Sequence, residues 1–219
     1  MRFILALFCV GFIVGCSNTS ENSSEEQTAP ESMVAAHTDA SGLYQTCVAC
    51  HGEKGEGNRS LGSPSIAGLD SWYIETQIHN FKKGIRGNPD DTNAAQMIAI
   101  SKTIRDEDVA TLASFINQMP LQSSESTITG DIQNGKAVYN MICGACHGPG
   151  AMGNQALNAP GLLGLNDWYL EKQFMDFKNG QRGSHPDDTF GAQMAAMSGT
   201  LPSENALSDI IAFISSLEK

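Results

Sequence analysis

Two copies of Cys-x-x-Cys-His, Cys47–His51 and Cys143–His147, are the most visible part of a longer duplication. When Cys47 is set on Cys143, Gly57-Asn58 falls on Gly153-Asn154, Pro64 on Pro160, and LDSWYIETQIHNFKKGIRG on LNDWYLEKQFMDFKNGQRG. After one extra residue in the second copy, His185, PDDTNAAQM meets PDDTFGAQM. From Cys47 to Ser101, 29 of 55 positions are identical. A period of 96–97 residues is too long for a solenoid, whose repeats run about 20–50 residues, so the period marks a duplicated domain. Such a chain folds as two similar small units, 37–121 and 131–219, joined by a linker at 122–130.

Each copy reads as helices. Asp39 and Asp131 stand where an N-cap would open a first helix running into the cysteine motif. The spacing Trp72-Tyr73, Ile78, Phe81 and its repeat Trp168-Tyr169, Phe174, Phe177 is helical, and Gly84 and Gly180 sit where such a helix would stop. DEDVATLASFINQM and SENALSDIIAFISSL carry the same apolar i, i+3, i+4 pattern. With no alternating β-branched run, the expected class is all-α.

The N-terminal end reads differently. Arg2, an apolar run from Phe3 to Val14 and small residues after it form a secretory signal, taken as 1–15. Ile13-Val14-Gly15-Cys16 resembles a bacterial lipobox, which would make Cys16 the lipid-bearing first residue of the mature chain; the alternative is an ordinary signal with an incidental cysteine. Residues 16–36, rich in Ser, Thr, Asn and Glu, read as a flexible acidic tether. The expectation is therefore a protein on the periplasmic side of a bacterial membrane, held there through Cys16. A formal charge of −11 argues against nucleic acid and favours a partner with a basic docking face. The signal's apolar run is too short for a comfortable span, and no stretch in the body of the chain is long and apolar enough for one.

Cys47, Cys50 and His51 share one helical face, so two thiols can add to a porphyrin's vinyl groups while the imidazole reaches its iron. The motif therefore reads as covalent c-type haem attachment, once per copy. Three other readings fit less well. A thioredoxin-like pair lacks its βαβ setting, a Cys/His zinc site lacks a second ligand cluster at finger spacing, and a plain disulfide leaves the histidine unexplained. For the position opposite His51 and His147, each copy offers a methionine at the same place, Met97 and Met194. Methionine there would raise the potential and close the site to outside ligands. Met197 is the fallback in the second copy, but its counterpart is Ile100. His37, His79 and His185 have no matched partner and stay unassigned.

Taken together, the doubled motif, downstream proline, Trp-Tyr helix, methionine and closing helix resemble cytochrome c4, the two-domain dihaem branch of the class I cytochromes c. The segments from Gly84 to Thr92 and Gly180 to Thr189 are also similar to single-domain c553-like cytochromes and to haem subunits of respiratory complexes. The resemblance covers about residues 38–219 and implies two tandem cytochrome c domains with two covalent haem c groups. It further implies that His and Met ligate each iron, and that the carbonyls of Pro64 and Pro160 accept from the second histidine nitrogen. Arg86 and Arg182, the arginines at matched positions, are expected to pair with haem propionates or to be solvated. Trp72 and Trp168 either pack on the haem and its propionates or fill the core. The expected function is an extracytoplasmic electron carrier between a quinol-oxidising complex and a terminal oxidase or reductase, without a small-molecule substrate or catalytic residues. A dedicated haem subunit of a larger oxidoreductase is the alternative, and a dihaem peroxidase-like enzyme a more distant one.

Overall fold

Asp39 and Asp131 open the first helix of each copy through their side chains. Asp39 Oδ1 accepts from Gly42 N at 2.7 Å and starts α1 (Ala40–His51). Asp131 Oδ1 accepts from Gln133 N at 2.9 Å and Asn134 N at 3.0 Å and starts α5 (Ile132–Val138). Each satisfies backbone donors that the helix itself leaves free. This computed structural model describes residues 39–88, 90–122 and 125–217. The signal at 1–15, the tether at 16–36, the lipid-bearing Cys16, Pro89 and linker residues 123–124 lie outside the described residues.

The first copy continues with α2 (Ser71–Lys82), α3 (Thr92–Ser101) and α4 (Asp106–Asn117). In the second, α5 passes through a π-helical stretch, Tyr139–Cys143, into α6 (Gly144–His147). Then come α7 (Asp167–Lys178), α8 (Thr189–Ser198) and α9 (Ala206–Ser216). Among the described residues there is no strand, only the isolated bridges Asn58 with Ser63 and Asn154 with Ala159. No helix among them is long and apolar enough to cross a membrane. The all-α expectation holds, and α2 stops as its sequence suggests. Gly84 takes φ +69°, open to glycine at little cost, and the Ile85 amide turns back to the Asn80 carbonyl at 2.9 Å.

The closing helices supply the cores. In the first copy Val109, Leu112, Ala113 and Ile116 of α4 bury against Tyr44, Ile74 and Ile78. In the second, Ile210, Phe213 and Ile214 of α9 bury against Val138 and Tyr139. Each such large side chain contributes about 2 kcal/mol when fully covered. The first and last helices of the second copy approach so closely at Gly135 that a β-carbon there would overlap the Asp209 carbonyl oxygen.

The two copies reach the same contacts from different registers. Tyr44 Oη donates to the Gly52 carbonyl at 2.8 Å, and Tyr139 Oη to the corresponding Gly148 carbonyl at 2.9 Å. Tyr44 lies three residues before Cys47, however, and Tyr139 four before Cys143. The π-helical stretch between Tyr139 and Cys143 absorbs that extra residue, and both anchors stay in place.

The copies pack as one unit. Leu165 of the second belongs to the core of the first. Beside it runs a reciprocal polar seam between α2 and α7. Arg86 donates to Gln77 Oε1 at 2.8 Å in its own half, and to Tyr169 Oη at 2.7 Å and Gln173 Oε1 at 2.9 Å in the other. Arg182 mirrors it, donating to Gln173 Oε1 at 2.8 Å, Tyr73 Oη at 3.2 Å and Gln77 Oε1 at 3.1 Å. Each glutamine thus serves both guanidinium groups. Along this seam the contacts are reciprocal, residue i meeting j as j meets i, the pattern of a two-fold dimer interface.

Candidate cofactor sites

α1 carries Cys47 and Cys50 as free thiols to the wall of a cavity that His51 also lines. Pro64, Tyr73, Ile74 and Ile78 close it on one side, Met97 of α3 on another, and Leu112 and Ile116 of α4 behind. The second half completes it with Leu165, Tyr169, Lys172, Gln173 and Arg182.

His51 is buried, and its Nδ1 donates to the Pro64 carbonyl at 2.8 Å. The fully covered Nδ1–H fixes the tautomer and leaves Nε2 with its lone pair free. His147 repeats this with the Pro160 carbonyl at 2.9 Å. Burial holds both imidazoles below their ordinary value, although the proline bonds work against it, so both rings are neutral at pH 7. The first thiol of each pair is held neutral. Burial, with the neighbouring cysteine adding to it, pushes Cys47 and Cys143 up to about 11. Neutral thiols suit neither a redox pair nor a thiolate metal site. Among the described residues no group of three or more His, Cys, Asp or Glu is arranged to hold a metal ion.

The lining fits a flat, apolar, covalently attached group with anionic substituents. Two thiols and an open imidazole nitrogen share one wall, and a methionine stands on another. The Ser65 hydroxyl, buried in the same lining, has no hydrogen-bond partner among the described residues. At the cavity's edge lie the two seam guanidinium groups. Arg86 is buried, yet among the described residues neither it nor Arg182 forms an ion pair with a carboxylate. Asp176 acts on Arg86 through space, but with no carboxylate bonded to either guanidinium the pair can also take up an anionic substituent.

In the second half Cys143 and Cys146 are likewise free thiols, one half-buried and one exposed, beside His147. Met194 is half-buried on α8, whereas Met197, one turn on, is 41% exposed.

Of the residues expected from the sequence, the structure brings Cys47, Cys50, His51, Pro64, Arg86, Met97 and Arg182 to one cavity. It does not bring Trp72 there. Trp72 sits edge-on to Tyr73, with ring centres 5.7 Å apart, and the tyrosine takes the inner position; Trp168 and Tyr169 repeat the pair at 5.9 Å. Tyr73, Gln77, Tyr169 and Gln173 were not anticipated, although all four are identities of the repeat. Exact recurrence of these residues at matched positions of the repeat is the available signal.

Comparison with known proteins agrees with this geometry. The family model described as Cytochrome c matches residues 38–120 and 132–218. A thiosulfate dehydrogenase electron acceptor of Thiomonas intermedia is 31% identical over 168 residues, 72% of each chain. Cytochrome c4 of Azotobacter vinelandii is 29% identical over 169 residues, covering 71% of this chain and 78% of that one. Among solved structures, the thiosulfate dehydrogenase TsdBA of Marichromatium purpuratum superposes with a TM-score of 0.65 at 25% identity. That match covers 81% of this chain but only 39% of the longer one.

Proposed function

This chain belongs to the cytochrome c family, with two tandem domains that each carry a covalently bound haem c, and from that premise we propose that it is a dihaem electron carrier working outside the cytoplasm. Each haem supplies a one-electron ferric/ferrous couple when bound. Cys47 and Cys50 in the first domain, and Cys143 and Cys146 in the second, hold the porphyrin by thioether bonds. His51 and His147 would bind the irons through Nε2, and Met97 and Met194 would supply the second ligand of each. Arg86 and Arg182 offer the seam's positive charge to propionates. The tethered chain is held to the periplasmic side of the membrane through Cys16 and carries electrons between a quinol-oxidising complex and a terminal oxidase or reductase.

The observation that carries this reading is the pair of His–Pro bonds. Both imidazoles are locked by Nδ1, at 2.8 Å and 2.9 Å, and each half has a methionine at the equivalent place. Two halves closed in the same way suit outer-sphere transfer, in which little reorganises. They do not suit a peroxidase-like enzyme, which needs one open iron. A redox titration with Met97 and Met194 replaced one at a time tests the assignment. Each substitution should lower one midpoint and remove one methionine–ferric charge-transfer band; a variant with both midpoints unchanged removes that methionine from the ligand set. A high-spin haem in the oxidised native protein would favour the enzyme instead.

The relatives named for thiosulfate dehydrogenase favour a second reading, a dedicated electron-accepting subunit of a dehydrogenase. Purification without detergent after removal of the anchor separates the two, because a dedicated subunit brings its enzyme along and a diffusing carrier does not.

A further inference from the structure

The peptide unit that holds His51 is bonded at both ends. Its carbonyl, from Pro64, accepts from His51 Nδ1 at 2.8 Å, and its N–H, from Ser65, donates to Asn166 Oδ1 at 2.6 Å. Asn166 belongs to the other half. It occupies the N-cap of α7, where an asparagine ordinarily caps its own helix, yet its side chain makes no capping bond there. Both partners are buried, Ser65 at 1% exposure and Asn166 at 8%. The second half has no equivalent. Pro160 accepts from His147 at 2.9 Å, but the Gly161 N–H makes no hydrogen bond among the described residues. Asp70, the counterpart of Asn166, likewise caps nothing and reaches no such donor.

Donation by a peptide N–H draws electron density toward its conjugated carbonyl oxygen, and in a buried setting linked hydrogen bonds strengthen one another. A stronger acceptor at Pro64 pulls harder on the His51 Nδ1–H and makes the ring a better donor to whatever Nε2 binds. We propose that Asn166 is a positioning residue for the first haem: the second half, through the Pro64–Ser65 peptide, enriches His51 and holds the first haem's potential below the value its own half would set. The coupling is one-way, because among the described residues no first-half side chain does this for His147. The inference rests on the ligation of iron by His51.

The test is Asn166→Ala in the full dihaem protein, read by NMR of the reduced, diamagnetic form and by redox titration. The His51 Nδ1–H resonance should move upfield, the Ser65 amide should exchange faster, and the first haem's midpoint should rise, so that its reduced-to-oxidised ratio at a fixed potential increases a few-fold. The second midpoint and the His147 Nδ1–H should stay in place. An unmoved His51 resonance, or equal shifts at both haems, overturns the proposal. If the alanine variant does not assemble, Asn166→Asp keeps the acceptor and strengthens it. The added charge alone lowers the midpoint, so the decision falls to the His51 Nδ1–H, which must move downfield; no downfield move overturns the proposal. His51 ring protons without the ring-current displacement of an axial ligand would instead overturn the ligation itself, a result distinct from an unmoved Nδ1–H.

Discussion

Asp91 shows how one carboxylate can serve both halves. Its Oδ1 accepts from Asn93 N at 2.9 Å and Ala94 N at 3.3 Å, capping the helix that carries Met97. Its Oδ2 takes Lys172 Nζ from the second half at 2.7 Å, and Lys172 also reaches Asp176 at 2.8 Å. Burial alone would raise the Asp91 carboxyl, but the Lys172 and Ala94 bonds outweigh it and hold the group below its ordinary value. A carboxyl lowered by folding stabilises the native state above its unfolded value, and that support is lost as the pH falls through the folded value. The cap on α3 should therefore survive to below about pH 4 and then fail. In Lys172→Met the folded value moves up, so the methionine–ferric band of the first haem should disappear at a higher pH than in the unaltered protein. The second haem, where Thr76 stands in place of Lys172, should keep its acid midpoint. An acid titration of the oxidised spectrum checks this, and an unchanged first transition would remove Lys172 from the account.

Among the elements, the π-helical stretch is one place where the copies diverge. Two demands meet at Tyr139: its ring packs on Phe213 with centres 5.5 Å apart, and its hydroxyl holds the Gly148 carbonyl at 2.9 Å. Tyr44 meets the same demands in the first copy, against Phe115 at 5.6 Å and Gly52 at 2.8 Å. An unbroken α-helix would turn either Tyr139 or Cys143 away by about 100°, so the surplus residue is looped into the wider turn. Met141, 69% exposed, is the residue that the turn spares most easily. Its deletion restores the three-residue spacing of the first copy. The expected product attaches both haems and melts within a few degrees of the parent, by mass spectrometry and circular dichroism. Loss of the second haem would mean that the π turn has a role beyond absorbing register. The sequence already contained the hint, LYQTC against VYNMIC, but alignment on the cysteines hides a shift that lies N-terminal to them.

Across the whole molecule, local signals were legible and long-range ones were not. The caps at Asp39 and Asp131, the stops at Gly84 and Gly180 and the shared face of Cys47, Cys50 and His51 each depend on residues a few positions apart, which is why periodicity and turn chemistry reveal them. The crossed bonds of Arg86 and Arg182, the reach of Asn166 to Ser65 and the displacement of Trp72 by Tyr73 depend on how α7 lies against α2, and that arrangement leaves no periodic trace. What composition does reach is the molecule's field. A formal charge of −11, added to by any propionates, gives the chain a net negative field, and such a field steers small charged couples until salt screens it. Reduction of the oxidised protein by hexaammineruthenium(II) should therefore slow as ionic strength rises. Oxidation of the reduced protein by ferricyanide should quicken over the same range. Stopped-flow rates from about 10 mM to about 1 M salt span screening lengths from about 30 Å to about 3 Å. Two couples of opposite charge with the same salt response would show that local charges at the haem edges, the seam arginines among them, override the overall balance and choose the partner.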